Sequence, residues 1–364
     1  MVRINILTLF PEMFSALNCS VIKKALEKKL FEINVVDIRD FSNDVHKKCD
    51  DYPYGGGAGM VMMAQPIVDA FKSLNLTSPK VIFTSPRGKL FNQSMAKEFA
   101  KNEDIVILCG HYEGVDQRVI EILGAEEISI GDYILTGGEL PAMVIIDALA
   151  RNIEGVINNQ SLEEESFSTG LLEYPQFTRP EIFENKAVPN VLLSGNHKDI
   201  QSWRFDKALE ITKRNRKDLF VQYCKNNYRL IDAKSKDFER LVSYKKNNVF
   251  DYANDANDKE VKKIKENIKS YKIIAIKDKK IGFVCIKKID DGILLDEMYI
   301  DEDYRNNKIG TDIIENLVKE NKIVYLWVCK NNLKAIKLYK NLGFEIVEEN
   351  SSKYKMKYTR KDKK

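Results

Sequence analysis

SIGDYILTGGELPAM (129–143) is the stretch on which the reading of the fold turns. It joins the end of a short apolar run, EEISIG (126–131), to a helical pattern, PAMVIIDALAR (141–151), through a glycine pair. Pro141 falls in the first turn of that helix, where its missing N–H costs nothing. LCGHYEGVDQR (108–118) has the same order of strand, glycine loop and helix, and PYGGGAGM (53–60) is a third glycine-bearing segment. In open parallel sheets, ligands sit beyond the carboxyl ends of the strands, where glycine lets the backbone approach closely. A tight turn explains any one of these loops, but three in one sheet point to a cofactor pocket. The spacing is neither GxGxxG nor a P-loop, which disfavours NAD and ATP.

Outward from these loops, INILTLF (4–10), EINVVDI (32–38), KVIFTS (80–85) and DIVILCG (104–110) read as strands. Apolar residues from Phe14 to Leu30 trace one helical face, and QPIVDAFKSL (65–74) and NQSMAKEFA (92–100) are helical, with Asn92 as a cap. A further helix starts near Asp116. Strands alternating with helices predict a parallel sheet covered on both faces. Regularity stops over 153–185, where NNQSLEEESFSTG reads as a mobile linker. A helix follows from His197 to about Arg214. After Asn227 the pattern restarts as YRLIDA (strand), DFERLVSY (helix) and YKIIAIKDKKIGFVCIKKI (two strands around a turn near Lys279). LLDEMYI (294–300) and IVYLWVC (323–329) are strands on either side of the helix IGTDIIENLVKEN (309–321), which describes a separate mixed α/β domain. The expected division is 1–160, 161–225 and 226–364.

At 364 residues the chain is long enough for two or three domains, and 44% hydrophobic residues fill real cores. No apolar run is long enough for a membrane span, and the N-terminus lacks the pattern of a signal peptide. The 6 cysteines (19, 49, 109, 224, 285, 329) form no CxxC pair, and the 3 histidines are at 46, 111 and 197. Neither a disulfide framework nor a structural zinc site is indicated, and a reducing cytoplasm is expected. Net charge is −9 over residues 1–200, +4 over 201–225 and +9 over 226–364. Such a gradient suits a polyanion at the C-terminal side, although Lys262–Lys265 and Lys361–Lys364 read first as a solvated helix face and a tail.

LFPEMF (9–14), DDYPYGGGAGM (50–60), CGHYEGVDQRV (109–119), SIGDYILTGGELPAM, YPQFTRPE (174–181) and LLSGNH (192–197) occur in the order found in the bacterial tRNA (guanine-N1)-methyltransferase family, which residues 1–215 closely resemble. The resemblance implies a SPOUT fold, a parallel sheet with a deep trefoil knot that general topology rules would not anticipate. It also implies a small helical tRNA-binding lobe and a homodimer. The implied reaction moves a methyl group from S-adenosylmethionine to N1 of the guanosine 3′ of the anticodon. Carried across, the cofactor residues are Phe83, Thr84, Ser85 and Pro86; Gly110, Glu113 and Gly114; Ile130, Gly131, Asp132, Tyr133, Ile134 and Leu135; and Gly137, Gly138 and Pro141. Glu113 either hydrogen-bonds the cofactor or lies near its sulfonium. N1 becomes nucleophilic as its proton leaves and charge moves to O6, so the chemistry needs a base and a cation. The resemblance supplies Arg151 for O6 and Glu165, where the family usually has aspartate, for the base. Asp50 resembles a residue facing the anticodon bases. Arg179, Ser194, Asn196, His197 and the basic stretch Lys213–Lys217 suit contact with the anticodon stem-loop. His111 is read as a capping or tRNA-contact residue. The family also implies Mg2+, for which the sequence shows no carboxylate cluster.

Over 228–360, YRNNKIGTDIIENLV (304–318) and NNLKAIKLYKNLGFEIV (331–347) resemble the GNAT N-acetyltransferases. Arg305 and Gly310 match the pyrophosphate loop, with Lys308 where its first glycine stands, and the motif from Asn332 to Phe344 is intact. Acetyl-CoA is the implied cofactor, with Arg305, Gly310, Thr311 and Asn332 binding it and the backbone of Met298 to Ile300 along the pantetheine arm. Tyr339 would protonate the departing thiolate, and Glu297 is a candidate base for the acceptor amine. The leading expectation is therefore a methyltransferase fused to an acetyltransferase-like domain of unknown acceptor. Its competitor is a non-catalytic tRNA-binding platform whose main activity is the acetyltransferase.

Overall fold

A computed structural model describes residues 1–158, 165–252 and 258–360, without the side chains of 246–252 and 258–261. Glu163, Glu164 and the closing Lys361–Lys364 lie outside the described residues. The chain forms two compact units, Met1–Ser168 and Thr169–Lys364.

The first unit is built on β1 (Val2–Thr8), β2 (Phe31–Asp37), β3 (Lys80–Leu90), β4 (Asp104–Cys109) and β5 (Glu126–Ser129). They form one sheet in the order β2-β1-β4-β3-β5, with every pairing parallel. β4 is central, and Ile105 to Cys109 are fully buried. Successive side chains take opposite faces, so Ile105 and Ile107 enter one apolar cluster while Val106 and Leu108 enter another. Around the sheet lie α1 (Ser20–Glu27), α2 (Ala64–Ser73), α3 (Gln93–Phe99), α4 (Gln117–Leu123) and α5 (Glu139–Ala150). Asn92 caps α3, its Oδ1 accepting from the Met95 amide at 3.1 Å.

Two elements differ from the sequence reading. The single helical face expected from Phe14 to Leu30 is broken into a 3-10 helix, Pro11–Leu17, and α1. Cys19 is extended and Ser20 has φ 55°, so the short polar residues flanking Cys19 interrupt the helix. β3 continues beyond Ser85, with a register shift against β5 between Thr84 and Lys89. Ser85 to Gly88 are thereby released from the ladder at the carboxyl edge of the sheet.

In the second unit, α6 (His197–Asn215) and α7 (Lys217–Asn227) precede a seven-stranded sheet. Its strands are β6 (Tyr228–Asp232), β7 (Tyr271–Ile276), β8 (Lys279–Ile289), β9 (Gly292–Ile300), β10 (Ile323–Cys329), β11 (Glu345–Glu349) and β12 (Lys353–Thr359). The order is β6-β7-β8-β9-β10-β12-β11, antiparallel except for β9 with β10. The helices here are α8 (Phe238–Tyr252), α9 (Asp258–Glu266), α10 (Ile309–Glu320) and α11 (Leu333–Asn341). Lys262, Lys263 and Lys265 are exposed beside the buried Ile264, a solvated helix face. The helices expected to form a separate lobe share a core with this sheet, since Leu209, Phe220 and Cys224 join Ile281, Ile309 and Ile313 in one apolar cluster.

Candidate functional sites

The loops leaving β3, β4 and β5 at their carboxyl ends enclose a cavity of about 380 Å3. That volume and position suit a small organic cofactor. Of the first-unit cofactor residues expected from sequence, all but Asp132 line it, from Phe83 to Pro86, Gly110 to Gly114, Ile130 to Leu135, Gly137, Gly138 and Pro141. Asp132 is exposed and outside the lining. The walls are held by backbone pairing: the Gly138 amide donates to the Gly110 carbonyl at 2.7 Å, joining two of the glycine loops. A Cβ on Gly138 would lie 2.6 Å from the Gly110 nitrogen and closer still to Thr84 Oγ1. Only glycine permits this approach.

The third glycine segment reaches the cavity through Glu113. The Glu113 amide donates to Met60 O at 3.0 Å, and the Met62 amide donates to Gly114 O at 2.9 Å. Gly59 (φ 81°) leaves room for the Glu113 side chain, which a Cβ there would meet at 2.5 Å. Sequence reasoning passed over Glu139, which is 2% exposed and accepts from the Thr8 hydroxyl at 2.8 Å. Its place in the first turn of α5, where the helix dipole favours an anion, was the available signal. His111 also lines the cavity, its ring 4.7 Å from Phe10 and its Nδ1 buried with no hydrogen-bond partner among the described residues.

Arg151 stands at the C-cap of α5 and forms an ion pair with Glu165. The two residues expected to carry the chemistry are thus in contact, but neither lines the cavity. α5 begins at the cavity and ends at Arg151; ten residues at 1.5 Å each separate Pro141 from Arg151 by about 15 Å along the axis.

The residues expected to meet RNA are exposed, apart from the half-buried Asp50. Asp50 lies in a two-residue strand paired with Met62 and Val61. Burial, and then the Asp50 charge, push the Tyr112 hydroxyl above its ordinary value. Ser194 and Asn196 shape the start of α6: the Ser194 hydroxyl accepts from the Asn196 amide at 3.2 Å, and Asn196 Oδ1 accepts from the Lys198 amide at 3.2 Å. His197 is the first residue of α6 and leaves the capping to Asn196. Arg179 is exposed in the segment preceding these residues.

In the second unit, β9 pairs with β10 only over Ile293, Leu294 and Leu295, so Met298 to Ile300 present an edge that β10 does not cover. The loop after β9 returns along this edge. Arg305 Nε donates to Ile300 O at 2.9 Å, and a Cβ on Gly310 would lie 3.1 Å from Met298 Cε. Lys308 adopts φ 61°, a left-handed conformation that favours glycine, and precedes α10 as its N-cap. Holding a lysine in that conformation costs roughly 1–2 kcal/mol. Thr311 is in the first turn of α10. Asn332 commits its side chain to capping α11, accepting from the Ala335 amide at 3.1 Å. Tyr339 is half-buried on α11 with its ring 6.0 Å from Phe344, and burial raises its hydroxyl to about 12. Glu297 forms an ion pair with Lys245 at 2.7 Å.

A parallel sheet with glycine loops closed around a cavity at its carboxyl edge defines the first unit as a SPOUT-class transferase domain. The chain belongs to the tRNA (Guanine-1)-methyltransferase TrmD family, which matches residues 2–222. Over 224 residues it is 55% identical to the tRNA (guanine-N(1)-)-methyltransferase of Clostridioides difficile (strain 630), covering 60% of this chain and 97% of that one. Over 223 residues it is 57% identical to the protein of the same name from Clostridium botulinum (strain Kyoto / Type A2), covering 61% and 92%. An acetyltransferase (GNAT) domain matches residues 269–346.

Proposed function

We propose that the chain methylates N1 of the guanosine 3′ of the anticodon in tRNA, drawing the methyl group from S-adenosylmethionine. The observation that carries this is the Arg151–Glu165 pair. A guanine presents N1–H and C6=O side by side on one edge, and a carboxylate next to a guanidinium is complementary to both. Glu165 takes the N1 proton, Arg151 holds the charge that moves to O6, and the ring nitrogen is left with a lone pair to be methylated. S-adenosylmethionine, when bound, supplies an electrophilic methyl group on a sulfonium. The glycine loops fit it because their backbone closes around a cavity that side chains would fill. Asp50, Arg179, Ser194, Asn196 and His197 are assigned to the RNA.

Methyl transfer requires the reacting atoms about 3–3.5 Å apart, whereas about 15 Å of α5 separates the cavity from Arg151 in one chain. A homodimer in which one protomer's pair faces its partner's cavity closes that gap. We include the dimer, the knotted topology and a cytoplasmic location in the proposal. Among the described residues no helix is long and apolar enough to cross a membrane. Mg2+ completes the set implied by the family; the described residues contain no group of three or more His, Cys, Asp or Glu placed to hold a metal.

The test is transfer of labelled methyl from S-adenosylmethionine to unmodified tRNA with guanosine 3′ of the anticodon, with the product base identified. N1-methylguanosine at that position is expected; cofactor and tRNA binding without transfer would leave only a binding platform. Mixing Arg151→Ala chains with Gly138→Ala chains during refolding tests the dimer. Random pairing should restore about a quarter of wild-type activity, because half the dimers then hold one intact site of two. Activity that stays at the level of the separate variants argues for a site completed within one chain.

For the second unit we propose acetyl transfer from acetyl-CoA. The edge at Met298 to Ile300 that β10 leaves unpaired and the left-handed turn at Lys308 support it. Arg305, Gly310 and Thr311 are assigned to the pyrophosphate end and Tyr339 to the proton for the thiolate. Asn332 acts through the helix it caps. Tyr339→Phe is expected to lower acetyl transfer by about 10²-fold while leaving acetyl-CoA affinity within a factor of a few, as read by calorimetry beside a thiol-release assay.

A further inference from the structure

Among the described side chains of α8, Leu241, Tyr244 and Lys245 are buried. The first two are apolar positions of an amphipathic helix; a lysine beside them breaks the pattern, and its side chain is only 8% exposed. Beneath it, Tyr271, Cys285 and Glu297 stand opposite one another across β7, β8 and β9. Lys245 Nζ lies 2.7 Å from Glu297 Oε1. Glu297 Oε2 is buried with no hydrogen-bond partner among the described residues. An ion pair that served packing alone would satisfy both oxygens, since an unmet buried acceptor is costly. This carboxylate orients an amine with one oxygen and keeps the other free to take a proton.

The pair also stands where the sheet opens. Glu297 immediately precedes Met298, and the pairing of β9 with β10 ends at Leu295. A register shift between Cys285 and Ile286 leaves Asp296 as an extra residue, so the strand bends at this point. We infer that Lys245 is an acetyl acceptor of its own chain, a primary amine seated on Glu297 and acylated by an acyl-CoA thioester. The inference rests on the acetyl-CoA reading of this half. Glu297 takes one proton from the ammonium, and the neutral nitrogen attacks the thioester carbonyl. The N–C bond forms as the C–S bond breaks. The thiolate takes its proton from Tyr339; the amine's second proton and the one held by Glu297 leave to water, from which Tyr339 is reprotonated. A desolvated lysine beside a base is suited to such an attack.

The experiment uses the full chain, incubated with acetyl-CoA and mapped by peptide mass spectrometry, with CoA binding measured by calorimetry. Acetylation of Lys245 is expected well above that of the exposed Lys263 and Lys265, and about 10²-fold slower in Glu297→Gln. Lys245→Arg should remove the modification while keeping the ion pair and the melting midpoint. Installing acetyl-lysine at 245 during synthesis should lower the midpoint, because Glu297 loses its cation. CoA binding with Lys245 labelled no faster than Lys263 and Lys265 overturns the self-acceptor. Absence of CoA binding overturns the reading beneath it, and the inference with it.

Discussion

Glu165→Ala is expected to slow the methyl-transfer step by about 10²–10⁴-fold, the usual contribution of a positioned general base. Cofactor affinity should change little, since Glu165 is assigned to the guanine and the glycine loops that form the cavity wall are untouched. Arg151→Ala removes the cation proposed to hold the O6 charge, and a loss of about 10²–10³-fold is expected. The two side chains are in contact and serve one proton transfer in the proposed mechanism, so the double variant should fall little further than the worse single one. Glu165→Asp keeps the carboxylate but shortens its reach, and should retain most of the rate if the segment carrying it adjusts. Single-turnover kinetics with saturating tRNA separates these effects from binding. Full activity in Glu165→Ala would remove the base from the linker, and with it the reason for pairing Arg151 and Glu165 in one mechanism.

Gly138→Ala is expected to abolish measurable binding of S-adenosylmethionine at micromolar concentrations. The added methyl would lie 2.6 Å from the Gly110 nitrogen, an atom fixed by the hydrogen bond that joins the two loops. Neither loop can retreat without opening the cavity wall, and forced insertion of a methyl group costs typically 1–3 kcal/mol before the ligand enters. Gly55→Ala is the comparison, because a Cβ there meets nothing within 4 Å. Its positive φ of 89° still strains an alanine, but away from the cavity wall. Isothermal titration of both variants with the cofactor reads the difference. Equal affinities would mean that the Gly110–Gly138 junction does not shape the binding site.

Strand and helix positions in the first unit were legible because β1 and β4 are apolar runs of the length a doubly covered strand needs. The break at Cys19 was not, since the apolar period continues through it and only local backbone geometry interrupts the helix. The cavity could be anticipated because glycine loops follow strands, yet Glu139 could not: burial of a charge depends on a partner, Thr8, that is 131 residues away in sequence. The ion pair of Arg151 with Glu165 was likewise beyond periodicity, although the chemistry of N1 called for both charges. In the second unit, the sequence shows Lys308 where the motif has its first glycine, but not the left-handed backbone that the residue adopts there. The shared core of α6 and α7 with the C-terminal sheet had no sequence signal, because Leu209 and Phe220 fit equally well in a self-contained helical lobe.

That shared core bears on how the chain can change over time. A stop codon near 226 would expose Leu209, Phe220 and Cys224 to water, and the larger side chains among them lose about 1.5–3 kcal/mol each on exposure. The relatives align over 223 or 224 residues and 92–97% of their own length, which leaves no room in them for a second half of this size. Because these positions pack on the C-terminal sheet, removing that sheet removes the footing of the helices as well. The junction therefore works as a one-way dependence: the second half cannot be shed without first repacking the core it shares with these helices.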